Sequence, residues 1–397
     1  MRWHKALSRG VIKTAKQLAD VVVHSGIRSV AIVGTAKNVG KTVTMNYLVS
    51  ELSARGLTVG LVSSGRDGET IDAFTGQPKP SVVAPQGAWI ATAEGVLGDA
   101  AASLEIADVL GHQGLFGRLV LGQAIEPVAL ELVGPRSARK LAGIVDRLLE
   151  LGADIVLVDG ALDRMAAASP KVTGATILST GASVDTDLET IAGQLGFLVW
   201  LLSRPEHPVK GIASLARQAI DTHTVCFIHA GRSAGRTGRQ GQYSLRSTHY
   251  STVLGVEDEV LEQAGEAAAV VVPGAVSQAF LDKARSWAKH REFAVIAGDT
   301  VSIFATKRPK VGLYVTHPLR LLAVTVNPVS ALGISYDPRA MVSAIGIALR
   351  DIGYPLPVFD VVSGEMCTEE MSADEISADE MSADEMSAEE VRHMAMG

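Results

Sequence analysis

The sequence predicts an α/β protein with a parallel sheet and crossover helices. Short apolar runs typical of buried strands alternate along the chain with longer amphipathic patterns typical of helices. The clearest example is the run 29–33, which leads through a glycine-rich turn into a helical pattern over 43–52. Further strands are predicted at 58–62, 154–158, 175–179, 197–202, 224–229, 269–272, 293–297 and 322–326, and a further helix at 137–151.

Residues Gly34 to Thr42 follow the first predicted strand and read Gly-x-x-x-x-x-Gly-Lys-Thr. They have the Gly-Lys-Thr end of a phosphate-binding loop, with one residue more between the two glycines than the common Gly-x-x-x-x-Gly-Lys-Thr pattern. Gly34 and Gly40 allow a tight turn that brings backbone N–H groups close to phosphate oxygens. Lys41 supplies a positive charge for the β- and γ-phosphates, and the Thr42 hydroxyl is the usual Mg²⁺ ligand. The N-terminus of the following helix adds its partial positive charge at the same place. The predicted nucleotide contacts are Gly34, Thr35, Lys37, Asn38, Val39, Gly40, Lys41 and Thr42.

Two acidic positions are candidates for holding Mg²⁺ and positioning a water molecule. Asp159 follows the apolar run 155–158, so its carboxylate is expected at the carboxyl end of a buried strand; a plain Asp-Gly turn is the alternative. Asp67 lies in the charged segment 63–69 after the strand at 58–62, and a solvated surface turn is the alternative there. The predicted catalytic residues are therefore Lys41, Asp159 and Asp67, and the predicted metal ligands are Thr42, Asp159 and Asp67.

Lys37 is a second lysine inside the loop, four residues before Lys41. A lysine at that place can fold back over bound phosphates, either within one chain or across a homodimer interface. A lysine that extends into solvent without a ligand is the alternative. The sequence contains no Asn/Thr-Lys-x-Asp motif for reading guanine at the expected place, so ATP is predicted rather than GTP.

The chain of 397 residues, 47% of them apolar, is long enough for two or three domains. We predict an amphipathic helix over 1–27, a nucleotide-binding domain over 28–205 and a second α/β unit over 206–364. The last segment, 365–397, repeats a five-residue Met-Ser-Ala-Asp-Glu pattern, and a period of five fits neither a helix nor a strand. We therefore predict a disordered acidic tail.

The net charge of −7 arises in that tail, which holds eleven acidic residues and one basic residue. The rest of the chain is close to neutral, so its composition does not indicate a nucleic-acid-binding protein. An arginine-containing, glycine-rich stretch over 231–242 lacks the interleaved aromatic residues of a stacking surface, and a solvated loop is predicted. Two distant cysteines, no apolar signal-peptide core and no long uncharged apolar run together predict a cytoplasmic protein without membrane or structural metal.

The first 200 or so residues resemble the P-loop ATPase class that contains dethiobiotin synthetase, the cobyrinate synthetases and the Min/Par proteins. The resemblance is carried by Gly34–Thr42, by Asp159-Gly160-Ala161 and by Thr180-Gly181-Ala182. A more specific resemblance adds Ser63–Glu69, Lys79-Pro80, Ala91-Thr92, Asp163-Arg164 and Asn327-Pro328-Val329. It covers most of 28–364 and is to the reactivase subunit of lysine 5,6-aminomutase, an enzyme that uses adenosylcobalamin and pyridoxal phosphate.

The more specific resemblance implies an ATPase that changes the conformation of a protein partner, here a cobalamin-dependent aminomutase, and so releases a damaged cofactor. Residues 206–364 would then contact the partner. The alternative from the broader class is an ATP-dependent small-molecule ligase or kinase, in which Lys37 and Asp67 serve substrate activation. A regulatory switch with slow hydrolysis and a protein that binds nucleotide only structurally are further alternatives.

Overall fold

The computed structural model describes residues 17–65, 81–114, 116–161, 165–231, 243–288, 291–330 and 333–367. Within these ranges the chain is a mixed α/β protein with a large, mostly parallel central sheet and helices on both faces, as the alternating pattern predicts. The strands are β1 Ser29–Gly34, β2 Val59–Ser63, β3 Val82–Ala84, β4 Trp89–Ala93, β5 Leu104–Gly114, β6 Gly117–Ala124, β7 Val128–Leu130, β8 Ile155–Ala161, β9 Ala175–Gly181, β10 Cys226–Ala230, β11 Tyr243–Ser247, β12 Ala267–Val272, β13 Val276–Ser277, β14 Ala294–Asp299, β15 Ile303–Phe304, β16 Gly312–His317, β17 Leu321–Asn327, β18 Val358–Phe359 and β19 Met366–Cys367.

The helices begin where the sequence provides capping groups or a helix-compatible turn. Asp187, for example, accepts a hydrogen bond from the Thr190 N–H at 2.8 Å and starts one helix, and Asp337 accepts from Ala340 N–H and precedes Pro338 at the start of another. The helices are α1 Leu18–His24, α2 Lys41–Ala54, α3 Ala138–Glu150, α4 Leu188–Leu202, α5 Lys210–Ile220, α6 Glu257–Ala264, α7 Gln278–Trp287 and α8 Pro338–Asp351.

The central sheet has ten strands in the order β19-β18-β17-β9-β1-β8-β2-β4-β6-β5. The seven strands from β18 to β4 run parallel, while β19 at one end and β6 near the other run antiparallel to their neighbours. Strand β1 therefore lies in the interior of the parallel part, between β9 and β8. All the carboxyl ends of these seven strands meet at one edge, where ligands bind in open α/β sheets.

Helices cover the two faces of this sheet and enclose two apolar cores. Helices α3, α4 and α8 pack on one face, together with side chains such as Val156 and Val158 of β8. Helices α1 and α2 pack on the opposite face, together with Ile155 and Leu157 of β8. Because β1 leads into α2 on one face and its neighbour β9 leads into α4 on the other, the loop after β1 lies at a topological switch point of the sheet.

A second, five-stranded sheet has the order β11-β10-β12-β14-β16, with β12, β14 and β16 parallel. Its two faces bury separate apolar clusters, one against α6 and α7 and the other against α5. Helix α4 joins the two sheets in space, because its Val199 lies in a core of the first sheet and its Leu201 in a core of the second.

Three predicted elements differ in the structure. The segment predicted as a strand at 197–202 is the end of helix α4 instead, because an apolar run buried on most sides has no periodicity to separate strand from helix. The strand predicted at 322–326 within the second unit, 206–364, is present as β17 but joins the central sheet beside β9. Residues 366–367 of the predicted tail form β19, which pairs with β18.

Other predictions fall wholly or partly outside the described residues. The predicted helix over 1–27 is seen only as the short helix Leu18–His24, and residues 1–16 are not described. The acidic repeat beyond residue 367 and the arginine-containing stretch 232–242 also lie outside the described ranges. The strands between residues 82 and 130, in contrast, were not predicted: β4, β6 and β5 form one end of the central sheet, and β3 and β7 pair with each other in a separate two-stranded sheet.

Candidate functional site

The glycine-rich loop connects the interior strand β1 to helix α2, as the motif requires. The chain leaves β1 at Gly34, turns through left-handed backbone at Asn38 (φ 60°) and Gly40 (φ 84°), and enters the helix at Lys41. The Thr35 N–H donates to the Ser179 carbonyl of β9 at 2.8 Å, which ties the start of the loop to the neighbouring strand. A turn with left-handed residues of this kind presents successive backbone N–H groups, which is an arrangement that binds anions.

Gly34 is required by close packing inside the loop. A Cβ built on Gly34 would stand 2.8 Å from both Cγ and Cδ of Lys41 and 2.8 Å from Cγ2 of Val39. The Lys41 side chain therefore folds back over the start of the loop rather than extending into solvent. Any larger residue at position 34 would displace the stem of the lysine that is predicted to contact the phosphates.

The N-terminus of α2 has the groups that a bound phosphate and its metal ion need. None of the side chains that the structure describes caps this helix end, so its first N–H groups are available to an anion. Among the described residues, neither the Lys41 ammonium nor the Thr42 hydroxyl has a hydrogen-bonding or ion-pair partner. The donor set expected for phosphate and the hydroxyl expected for Mg²⁺ are thus uncommitted at one helix terminus.

Asp159 lies on β8, directly beside β1, with its Cα in register with Ile32. Side chains alternate between the faces of a strand, and Leu157 of β8 packs in the core that α2 covers. Asp159 therefore belongs to the same face as α2, the helix that carries Thr42. The structure brings Thr42 and Asp159 to the same edge and the same face of the sheet, and their shared role as metal ligands stays a prediction.

Buried hydroxyl groups hold the loop and its helix onto the neighbouring strands. Thr44, in the first turn of α2, hydrogen-bonds through its Oγ1 to Thr325 Oγ1 at 2.9 Å, and Thr325 bonds in turn to Ser179 Oγ at 2.8 Å. The Thr35 hydroxyl donates to Thr180 Oγ1 at 3.1 Å. Hydroxyl groups buried in this way are satisfied only in one arrangement, so the network fixes α2 relative to β9 and β17.

On the other side of Asp159, a turn from the β7–α3 connection lies over the end of β2. The Ser64 N–H donates to the Asp159 carbonyl at 2.8 Å, and the Gly134 N–H donates to the Gly65 carbonyl at 3.2 Å. The Ser64 Oγ and Glu131 Oε1 atoms are both buried and find no hydrogen-bonding partner in the described part of the chain. The predicted residue Asp67 belongs to the segment that would continue from here, but it lies outside the described residues, as do Arg66 and Glu69.

Gly134→Ala is expected to destabilise the fold at this edge by about 3 kcal/mol. A Cβ on Gly134 would overlap the backbone carbonyl oxygen of Ser63, and backbone at the end of a central strand cannot move aside cheaply. Gly143→Ala is the matched control, because a Cβ at this exposed position of α3 meets nothing within 4 Å and alanine favours the helix. Urea unfolding of both variants measures the difference. Equal midpoints for Gly134→Ala and wild type would contradict the close approach.

Glu94, another carboxylate at this edge, is paired with Arg118. Glu94, directly after β4, accepts from the Arg118 N–H and from the Arg118 guanidinium, and these bonds hold the pKa of the Glu94 carboxyl below its ordinary value. Within the described ranges, no three His, Cys, Asp or Glu side chains cluster as a metal site. One hydroxyl and one carboxylate, as in Thr42 and Asp159, are a donor set that suits Mg²⁺, because this ion keeps several water ligands and needs only one or two protein oxygens besides phosphate.

The segment after Asp159 contacts the second sheet. Ala167 and Ala168 belong to the same apolar core as Val301, and the Ser169 hydroxyl donates to Asp299 Oδ2 at 3.0 Å. Asp299 ends β14 of the second sheet, and its other carboxylate oxygen accepts from the Ser302 N–H. The connection from the candidate metal ligand to the second sheet is therefore short and includes a direct hydrogen bond.

Two residues at the loop carried no predicted role as site residues. Asn327, at the end of β17, and Ser183, just after β9, both donate hydrogen bonds to the carbonyl of Asn38. Asn327 belongs to the Asn327-Pro328-Val329 motif that supports the more specific resemblance, and Ser183 belongs to no motif of the sequence. Only the strand order identifies them. Asn327 ends β17 and Ser183 comes just after β9. The carboxyl end of β9 lies next to that of β1 and the end of β17 one strand further, where side chains reach the ligand crevice.

Lys37 and Asn38 are the two most exposed residues of the loop, and the predicted role of Lys37 stays a prediction.

No helix in the described part of the chain combines the length and apolar character needed to cross a bilayer. Comparison of the chain with protein-family models, with curated proteins and with solved structures finds no match.

Proposed function

We propose that this protein binds Mg-ATP at the loop Gly34–Thr42 and hydrolyses it. One observation carries the proposal: Lys41 and Thr42 lie at a helix N-terminus on the same sheet edge and face as Asp159, and within the described ranges no side chain caps that helix end and neither residue has a partner. An anion site with a lysine, a free hydroxyl and a nearby carboxylate combines what phosphate and Mg²⁺ each require. The sequence has no Asn/Thr-Lys-x-Asp motif for guanine at the expected place, which favours an adenine nucleotide.

Different residues of the site bind the phosphates and the metal ion. The loop N–H groups and the Lys41 ammonium bind the β- and γ-phosphate oxygens, where they stabilise negative charge. The Thr42 hydroxyl and the Asp159 carboxylate hold Mg²⁺, directly or through water. A Mg²⁺ ion held there would neutralise charge on the phosphoryl group, and the contribution of the protein residues would be mainly positioning.

The same proposal includes a conformational role. The chain that leaves Asp159 packs on the second sheet and bonds to Asp299, so a shift of the metal site has a short path to that sheet. A nucleotide that favours one arrangement of this contact would change the surface offered to a protein partner. Because the chain resembles the reactivase subunit of lysine 5,6-aminomutase, we propose an adenosylcobalamin-dependent aminomutase as the partner. ATP-dependent release of inactive cobalamin from that enzyme tests this proposal.

Titration calorimetry with the full chain tests binding, and phosphate release tests turnover. We expect Mg-ATP to bind with a dissociation constant between about 1 µM and 1 mM, more tightly than Mg-GTP, and to lose affinity when EDTA removes the metal. Phosphate release should be slow with the protein alone and faster with the partner. Absence of saturable ATP binding would refute the proposal as a whole.

An ATP-dependent ligase or kinase for a small molecule is the second candidate. It is favoured by two buried atoms without a partner among the described residues, Ser64 Oγ after β2 and Glu131 Oε1 beside β4, because such groups can bind a polar substrate. This function predicts phosphate or ADP release that depends on an added small carboxylate or amine and not on any protein. A panel of such compounds, assayed in the absence of protein partners, separates the two candidates.

A further inference from the structure

The carbonyl group of Asn38 in the phosphate-binding loop is held by two side chains from distant parts of the chain. Asn327 Nδ2 donates to it at 3.1 Å, and the Ser183 hydroxyl donates to it at 3.3 Å. The donors follow β17 and β9, and Asn327 is 289 residues away from Asn38 in the chain. Neither donor belongs to the loop motif.

Fixing this carbonyl fixes the next N–H group as well. The peptide unit between Asn38 and Val39 is planar and trans, so its N–H points opposite to its C=O. With the carbonyl directed at Asn327 and Ser183, the Val39 N–H points away from them. No backbone hydrogen bond among the described residues uses that N–H, although Val39 itself is only 2% exposed. A buried N–H group without a partner is ready for an anion.

The amide of Asn327 is itself held in one orientation. Its Oδ1 accepts from the Val329 N–H at 3.2 Å, which leaves Nδ2 as the donor to Asn38. Its backbone carbonyl accepts from the Ala182 N–H at 2.9 Å, so the residue is also tied to the turn after β9. Its Cβ lies so close to Gly40 that a Cβ there would stand 3.1 Å away. Asn327 therefore contacts the loop at two positions, Asn38 and Gly40.

We propose that Asn327, assisted by Ser183, is a positioning residue for phosphate binding: it holds the Asn38 carbonyl outward and thereby directs the Val39 N–H at a phosphate oxygen. This inference rests on the proposed nucleotide-binding function. It assigns Asn327 to the phosphates and not to the base, although the residue lies outside the loop. The distinction can be measured with a ligand that has phosphates and no base.

The experiment compares binding of Mg-ATP and of Mg-tripolyphosphate by calorimetry. Asn327→Ala is expected to weaken both ligands by the same factor, about tenfold, since one donor to the loop is lost. Asn327→Asp keeps the size and the acceptor for Val329 but loses the donor, so it should also weaken both. Ser183→Ala should weaken both about threefold, and Ser183→Thr, which restores a hydroxyl, should return affinity towards wild type.

Each outcome decides. Weaker ATP binding with unchanged tripolyphosphate binding would overturn the positioning role and place Asn327 at the base. Unchanged binding of both ligands by Asn327→Ala and by Ser183→Ala would also overturn it. If Asn327→Ala fails to fold, the two Ser183 variants still decide. A failure of the proposed nucleotide-binding function gives a different result. In that case wild type binds neither ligand, or Lys41→Ala binds both ligands as tightly as wild type does. Either result would also refute the positioning role of Asn327.

Discussion

Lys41→Ala is expected to weaken Mg-ATP binding by about 100-fold, the largest loss of affinity that any single loop side chain should cause. Lys41 has no partner among the described residues, so its charge is available entirely to the ligand. A hydrogen bond to a charged group contributes about 1.5–3 kcal/mol, and a lysine between two phosphates is at the upper end of that range. Calorimetric titration with Mg-ATP measures the loss.

Lys41→Met separates the charge from the packing. The methionine side chain keeps most of the apolar stem that lies against Gly34 and Val39, and it removes the ammonium group. Equal losses for the alanine and methionine variants would assign the effect to the charge. Near-wild-type binding by Lys41→Met would instead show that the lysine only packs the loop, and the phosphate role would be wrong.

Lys37→Ala is the comparison within the same loop. Lys37 is exposed, so a role over the phosphates predicts a second loss of affinity, whereas a solvent role predicts none. If the contact forms across a homodimer, the loss should depend on protein concentration. Sedimentation of wild type with and without Mg-ATP, at the concentrations used for titration, measures that dependence.

The loop, its helix and the strand before it could be predicted because their signal is local. The stretch Gly-x-x-x-x-x-Gly-Lys-Thr encodes the turn, the charge and the helix start within nine consecutive residues, and β1 and α2 are found on either side. Asp159 could be predicted for a similar reason, since an acid at the end of a fully apolar run indicates the carboxyl end of a buried strand.

The rest of the site depends on which strands become neighbours, and the sequence carries no local sign of that. Strand β17 was predicted as a strand, yet nothing in its residues reveals that it leaves the second unit and pairs with β9. The contact of Asn327 with the loop follows only from that pairing. Helix α4 is apolar on two sides because it faces both sheets. Its apolar residues over 197–202 therefore show no helical periodicity, and this run was predicted to be a strand.

Asp159→Asn is expected to lower the rate of ATP hydrolysis by about 100-fold while leaving Mg-ATP binding within a few fold of wild type. The substitution keeps the size of the side chain and removes the negative charge that a metal-bound water or Mg²⁺ itself would contact. Lys41 and the loop N–H groups still hold the phosphates, so the loss should fall mainly on kcat. Raising the Mg²⁺ concentration should recover part of the rate, because the metal is held less tightly.

Asp154→Asn is the control on the same strand. Asp154 precedes β8 at the opposite edge of the sheet, where its Oδ2 accepts from the Thr58 N–H at 2.8 Å, so its substitution should leave hydrolysis unchanged. Equal rates for Asp159→Asn and wild type across a Mg²⁺ titration would remove Asp159 from the metal site and reduce it to a strand-end residue. Loss of both binding and hydrolysis, together with a lower midpoint of unfolding, would assign Asp159 a role in holding β8 beside β2 instead. Only a fall in kcat that Mg²⁺ partly reverses supports the shared metal ion with Thr42.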